Sequence, residues 1–252
     1  MTATAPTGTE ARVSTLDRPT LMRLAAEEYD RFQAQLSGLS DADWTVSTDC
    51  PGWDVRAMAS HVLGMAEMAA SIRVGLRQQR AASKRAGSFI DALTAVQVDE
   101  RRSMTGLQVR DRLGAVGPRA ARSRRRVPGL VRRRALPMPQ QVGANEESWT
   151  VGFLVDTILT RDVWMHRIDI SRAVHRELPL DAEHDGFLVS DVVTEWLGRH
   201  GQPCQVHLTG PAGGSWTVGE GGPSVELDAI EFCRTVSGRE LGAGLLTEQV
   251  PF

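Results

Sequence analysis

The sequence predicts a mostly α-helical protein with a small α+β part at its carboxyl end. Over the first two-thirds of the 252 residues, apolar side chains recur every three or four positions, the spacing of one face of an α-helix. After Pro203, apolar and polar residues alternate on both sides of a glycine-rich stretch, a pattern typical of a β-hairpin. We therefore expect a helical bundle over residues 15–200 and a small α/β domain over residues 201–252.

Three amphipathic helices are expected before residue 112. The first follows Pro19, and its inward face consists of Leu21, Ala25, Tyr29, Phe32, Leu36 and Leu39. The second begins after Asp54, which ends a Pro-Gly-Trp-Asp turn and is suited to cap the first free amides of a helix. Its inward stripe consists of Val55, Met58, Val62, Met65 and Ala69. The third begins near Ser88.

An arginine-rich stretch follows these helices. Residues 112–145 contain nine arginines and no acidic residue, and four prolines interrupt them, beginning with Pro118. Because proline breaks helix interiors, residues 118–145 are expected to be an irregular, poorly ordered connection within the bundle. The arginines could bind nucleic-acid phosphates, but the stretch has no aromatic residue for base stacking and no recognition motif surrounds it. A solvated arm is the favoured interpretation.

Two more helices and three short strands complete the expected order. The helices are predicted at residues 148–173 and 185–200. The strands are predicted at residues 205–209, 215–218 and 225–227. Gly201 is suited to end the second of these helices in the left-handed conformation. Asp228 and Glu231 have the spacing of a capping box and open a last helix, which ends at Gly238.

Composition excludes several classes of protein. No run approaches the ~18 apolar residues of a membrane helix, and residues 1–19 lack the apolar core of a signal peptide. The three cysteines are far apart and form no CxxC pair, so neither a disulfide framework nor a zinc knuckle is expected. We expect a cytoplasmic protein without a membrane partner.

The candidate catalytic or metal-binding residues lie on the inward-facing stripes of two helices. His61 lies on the stripe of the second helix, where it is either a core histidine bonded to a neighbour or a metal ligand. Asp162, His166 and Asp169 share one face of a later helix at i, i+4 and i+7. Asp162 and His166 either stabilise that helix as a pair or chelate a metal, and Asp169 could instead bond to an arginine. Because a bundle core brings such stripes together, His61, Asp162 and His166 are a candidate site for one divalent metal.

Two segments resemble a known family. They are Cys50-Pro-Gly-Trp-Asp-Val-Arg-Ala-Met-Ala-Ser-His61 and Arg161-Asp-Val-Trp-Met-His-Arg-Ile-Asp-Ile170, and a Gly-Arg pair at 238–239 follows the last short helix. Together they resemble the mycothiol-dependent maleylpyruvate isomerase family. The resemblance implies a DinB-like, metal-binding four-helix bundle followed by a small α/β domain, with a short antiparallel sheet and one helix.

The same resemblance implies roles for individual residues. His61, Asp162 and His166 would hold a divalent metal, usually zinc, although the family pattern more often has glutamate at the position of Asp162. Asp169 would lie behind these ligands and orient one of them, or pair with Arg167 or another arginine. Arg239 would hold an anionic group during catalysis; its alternative is an ordinary arginine at the carboxyl end of a helix. Cys50, a conceivable nucleophile, has no histidine nearby in sequence, and a structural role is favoured.

The function implied by the resemblance is that of a thiol-using enzyme. Zinc would activate mycothiol, the small thiol of actinobacteria, as a thiolate that attacks a small electrophile. Addition, bond rotation and elimination would isomerise the substrate, whereas stopping at the adduct would be S-transfer. Because Asp162 departs from the family pattern, a non-catalytic DinB-like binding or stress-response protein is the alternative. Nucleic-acid binding through the arginine-rich stretch is less favoured.

Overall fold

A computed structural model describes residues 14–252 and confirms the mostly helical fold class. Its helices and strands are α1 Arg18–Ser37, α2 Val55–Ala70, α3 Ile72–Ala82, α4 Phe89–Asp99, α5 Gly106–Arg126, α6 Gly129–Arg132, β1 Gln140–Val142, β2 Asn145–Glu147, α7 Val151–Phe153, α8 Leu159–Ala173, α9 Asp185–His200, β3 Cys204–Thr209, β4 Gly214–Val218, β5 Ser224–Asp228 and α10 Ala229–Val236. Within residues 14–252, no helix is both long enough and apolar enough to cross a lipid bilayer. Residues 1–13, part of the segment in which no signal peptide is expected, lie outside the described residues.

The chain divides into two compact units. The helical unit contains residues 19–128 and 162–177, and the carboxyl-terminal unit contains residues 129–161 and 178–252 with the described residues before Pro19. This division differs from the expected boundary at residue 200. Helix α9 belongs with the strands that follow it, so the helical unit is built from α1–α5 and the part of α8 after residue 161.

Helix α2 is the centre of the helical unit, where it packs against α3, α4 and α5. Its start is set locally, because the Asp54 carboxylate accepts a hydrogen bond from the Ala57 amide at 2.6 Å, as predicted. Helix α3 was not expected from the sequence. Its Ile72 and Leu76 side chains are largely exposed, so they give no inward apolar stripe that sequence periodicity could detect.

Helix α5 corrects the expectation of an irregular connection over residues 118–145. The helix continues through Pro118 to Arg126, and residues 140–147 contain the β1–β2 hairpin. Pro118 is exposed, whereas Val109, Leu113 and Ala120 are almost completely buried. Burying a large aliphatic side chain contributes about 1.5–3 kcal/mol, so several such contacts outweigh the roughly 3 kcal/mol cost of an interior proline.

The arginines of this stretch are not one solvated arm. Arg124 is buried, and its guanidinium carbon lies 6.0 Å from the centre of the Tyr29 ring of α1. In the carboxyl-terminal unit, Arg132 Nε donates to the buried carboxylate of Asp156 at 2.6 Å. At least these two arginines therefore have structural partners.

Replacing Pro118 by alanine should raise the free energy of unfolding by about 1–3 kcal/mol. Alanine restores the amide that can donate within α5 and removes the ring that crowds the preceding turn. Urea denaturation followed by circular dichroism measures the effect. Pro128→Ala is the matched control, because Pro128 lies outside any helix and its replacement should not stabilise the protein. A midpoint for Pro118→Ala below that of the wild type would contradict the prediction.

The carboxyl-terminal unit contains the predicted hairpin. Strands β3 and β4 pair antiparallel with Val206 opposite Trp216, and β5 pairs parallel to β3 with Val206 opposite Val225. The sheet order is therefore β4-β3-β5. Asp228 caps α10 by accepting from the Ile230 amide at 2.8 Å, and Gly201 ends α9 with a φ of +62°.

The helix expected near Ser148 begins at Val151, after its cap Thr150, and contains an irregular turn. The Thr150 hydroxyl accepts from the Phe153 amide at 3.0 Å, which caps α7. Leu154–Ile158 then forms a π-helical turn before α8. A π turn inserts one residue into the helical repeat, and such turns are frequent beside functional sites. It ends four residues before Asp162.

Candidate metal centre

The structure brings His61 of α2 together with Asp162 and His166 of α8. His61 Nε2 lies 3.3 Å from Asp162 Oδ2, and His166 Nε2 lies 3.6 Å from Asp162 Oδ1. The two imidazole rings are nearly perpendicular, with their centres 5.3 Å apart. The predicted convergence of the two helix stripes is therefore confirmed, whereas metal binding stays a prediction.

The donor atoms of these three residues lie close enough together to hold one metal ion. Metal–ligand bonds of about 2.0–2.2 Å at the tetrahedral angle place two donor atoms roughly 3.3–3.6 Å apart. Each histidine lies at such a separation from a different oxygen of Asp162, and one donor atom from each of the three residues lies within 4.8 Å of the others. Two imidazole nitrogens and one carboxylate oxygen are ligands that suit zinc. The residues present therefore fit a divalent metal with one position left open.

Burial gives this cluster a closed side and an open side. The side chains of His61 and His166 are only 7% and 6% exposed, whereas that of Asp162 is 20% exposed. The ring nitrogen His61 Nδ1 is buried and has no hydrogen-bond partner among the described residues. Access from solvent is therefore greatest at Asp162, and the orientation of His61 depends on the packing around its ring.

His166 is oriented by a second carboxylate. Its Nδ1 lies 3.1 Å from Oδ2 of Asp169, which is completely buried. A carboxylate favours a proton on the ring nitrogen that faces it, and this leaves the Nε2 lone pair directed toward Asp162. Arg167, the other expected partner of Asp169, donates from Nε to the buried carboxylate of Glu28 on α1 at 2.8 Å.

Trp53 also lies in this cluster, although the sequence indicated no role for it beyond its place in the turn before α2. Its ring centre lies 5.3 Å from that of His61 and 5.9 Å from that of His166. The indole therefore packs beside both histidines and limits the access of water on that side. Its position in the sequence could have indicated this contact. Trp53 precedes α2 by two residues, close enough for a large ring to fold back toward His61.

Cys50 also reaches this cluster, on the side of Asp169. Its sulfur lies 3.8 Å from Asp169 Oδ2, and it is half-buried. Cys204 and Cys233 belong to the carboxyl-terminal unit and are buried there; burial raises the pKa of both thiols above the ordinary value. A structural role for Cys50 was expected from the sequence, but its contact with Asp169 was not.

Arg239 belongs to the carboxyl-terminal unit, three residues after the end of α10. Its backbone amide donates to the carbonyl of Arg234 at 3.0 Å, and its guanidinium donates to the Ser237 hydroxyl at 3.4 Å. Its position after a helix end agrees with an ordinary arginine at the carboxyl end of a helix, the alternative to a catalytic role. A catalytic role for Arg239 stays a prediction.

Comparison with known proteins assigns the chain to a family. The family model described as the mycothiol maleylpyruvate isomerase N-terminal domain matches residues 25–171, more than half of the chain. The fold is similar to the crystal structure of the mycothiol-dependent maleylpyruvate isomerase, at a TM-score of 0.56 and 15% identity, over 89% of this chain and 90% of that one. A variant of that enzyme with one histidine changed to alanine matches with the same TM-score and coverage at 14% identity. No curated protein matches the chain.

Proposed function

The chain belongs to the mycothiol maleylpyruvate isomerase family, and from this premise we propose that it is a metal-dependent enzyme that uses mycothiol as co-substrate. Its reaction is isomerisation or S-transfer on a small electrophilic substrate, and its metal is zinc. One observation carries the proposal: His61, Asp162 and His166 place three donor atoms within 4.8 Å of one another inside the segment that the family model covers.

The residues of the cluster would have different roles in such an enzyme. A bound divalent metal with an open position would lower the pKa of a thiol, so that the thiolate is available at neutral pH. His61, Asp162 and His166 would hold the cation, and the charge of Asp162 would offset part of its charge. Asp169 keeps the Nδ1 proton of His166 in place. Trp53 covers one side of the histidine pair, which limits access of water to the reacting groups.

Replacing Asp169 by asparagine should lower zinc affinity by about 10–100-fold, the usual effect of changing a residue that orients a metal-binding histidine. Asparagine has nearly the same size but lacks the charge that favours the required His166 tautomer. Competition with a chromophoric chelator measures the affinity. Arg172→Gln on the same helix is the control, since Arg172 is 42% exposed in a surface ion pair. Equal affinities for Asp169→Asn and wild type would contradict the role of Asp169.

The proposed function is tested by binding and by turnover. Isothermal titration calorimetry should detect mycothiol binding to zinc-loaded protein, and no binding to metal-free protein or to His61→Ala. The zinc-loaded protein is then incubated with mycothiol and small unsaturated acids, maleylpyruvate among them, and the products are identified by NMR. Zinc-loaded wild type that binds no mycothiol would overturn the proposal. Binding without turnover of any substrate would favour the non-catalytic alternative.

A further inference from the structure

We propose that Cys50 is a positioning residue, whose thiol holds the Asp169 carboxylate against His166 and thereby fixes a metal-binding imidazole. The inference rests on the proposed function, and it adds a role for a side chain that the ligand set does not include. Cys50 lies in the turn that precedes α2, which we call the Thr48–Trp53 turn.

Internal hydrogen bonds hold the Thr48–Trp53 turn in one conformation. The amide and the hydroxyl of Thr48 both donate to the Trp53 carbonyl, at 2.9 and 3.0 Å, and the Trp53 amide donates to the Cys50 carbonyl at 3.1 Å. Gly52 has a φ of +78°, a value that favours glycine, and Pro51 restricts the backbone before it. Cys50 is therefore presented by a closed turn and not by an open loop.

The turn contacts successive turns of α8 at one buried position and at one exposed position, where the surface ion pair contributes little. Cys50 Sγ lies 3.8 Å from Asp169 Oδ2, and the carboxylate of the neighbouring Asp49 accepts from Arg172 Nε at 3.2 Å. Asp169 and Arg172 are three residues apart on one face of the helix. The turn thus contacts α8 just after His166, and the deeper of the two contacts is the one made by Cys50.

The thiol contact falls on the oxygen that orients the histidine. Asp169 Oδ2 lies 3.1 Å from His166 Nδ1 and 3.8 Å from Cys50 Sγ. A completely buried carboxylate is stable only when donors surround it, and the S–H group adds a donor to the imidazole N–H. A donor from outside α8 also limits rotation of the carboxylate, because that donor does not move with the Asp169 side chain.

Cys50, His166 and Asp169 also lie close enough together to hold a metal themselves. The geometry favours hydrogen bonding, because the 3.1 Å between His166 Nδ1 and Asp169 Oδ2 is shorter than the roughly 3.3–3.6 Å between two ligands of a tetrahedral metal. Both short contacts also converge on a single carboxylate oxygen. Cys50 therefore acts on the metal centre through Asp169 and not as a ligand.

The test compares Cys50→Ala and Cys50→Ser with wild type. Alanine removes the donor and should weaken zinc affinity by about three- to tenfold, less than the 10–100-fold commonly lost when the orienting carboxylate itself is changed. Serine keeps a donor and should recover most of that loss. Asp49→Asn, in the same turn but in a surface ion pair, should leave the affinity unchanged within about twofold. Thermal unfolding of the metal-free proteins shows that the variants fold.

Cobalt substitution separates positioning from direct ligation. Cobalt-loaded wild type and Cys50→Ser should have the same visible spectrum, without the intense sulfur-to-cobalt band of a thiolate ligand. Such a band in wild type would overturn the positioning role, and so would a zinc affinity of Cys50→Ala equal to that of wild type. The band would place the metal at the set of Cys50, His166 and Asp169, whereas equal affinities would leave the proposed centre of His61, Asp162 and His166 standing. A wild type that binds neither zinc nor cobalt would overturn the proposed function and, with it, this role.

Discussion

Replacing Asp162 by alanine should lower zinc affinity more than the loss of an orienting residue does, which commonly costs about 10–100-fold. The Asp162 carboxylate lies between the two histidines, with one oxygen 3.3 Å from His61 Nε2 and the other 3.6 Å from His166 Nε2. If Asp162 is a ligand, as proposed, the substitution removes a metal bond, and it removes the only negative charge of the three-residue set. Metal analysis after equal zinc exposure and desalting, followed by chelator competition, measures the loss.

Asp162→Glu is the matched variant, and it should retain zinc. It keeps the charge, and its additional methylene gives the carboxylate a longer reach to the cation. If Asp162 were only an intrahelical partner of His166, alanine would cost about 0.2–0.5 kcal/mol of stability and leave the metal content unchanged. Equal zinc stoichiometry and affinity in wild type and both variants would reject Asp162 as a ligand.

Replacing Arg161 by methionine should lower the free energy of unfolding by about 3–5 kcal/mol, the usual cost of removing one partner from a buried ion pair. Arg161 is completely buried, and its guanidinium donates to Asp191 Oδ2 at 2.7 Å and to Glu195 Oε2 at 2.6 Å. Burial alone would lower the pKa of Arg161, but these two carboxylates raise it above the ordinary value. Methionine would leave both carboxylates in place without this cation.

Denaturation in urea measures that loss, and Arg23→Met is its control. Arg23 pairs with Glu27 on α1, but both side chains are more than one-third exposed, so their separation should change stability by less than about 1 kcal/mol. If Arg161→Met were no less stable than Arg23→Met, the ion pairs of Arg161 would contribute no more than exposed ones.

Several elements were predictable because their signals are local. Asp54 and Asp228 cap α2 and α10 through amides two or three residues away, and Gly201 ends α9 by its own left-handed backbone. The stripe that contains His61 was also predictable, since the helical repeat places its apolar neighbours on one face. Each of these signals acts within one turn of helix, so the sequence around it suffices.

Elements that depend on distant packing were not predictable in this way. Pro118 has a local preference against a helix interior, but burial of Val109, Leu113 and Ala120 overrides it. The π turn at Leu154–Ile158 leaves no mark in the apolar pattern that distinguishes it from an α-helical turn. For α5, the free energy that decides the backbone comes from contacts with other elements.

The same distinction applies to the candidate site. The sequence by itself determined that His61, Asp162 and His166 face inward on two helices, because helical spacing alone fixes which residues share a face. Only the tertiary structure decided that Trp53 packs against both imidazoles and that Cys50 contacts Asp169, 119 positions later in the chain. Helical spacing acts over a few residues, whereas contacts over such separations depend on how the helices and the turn pack together in three dimensions.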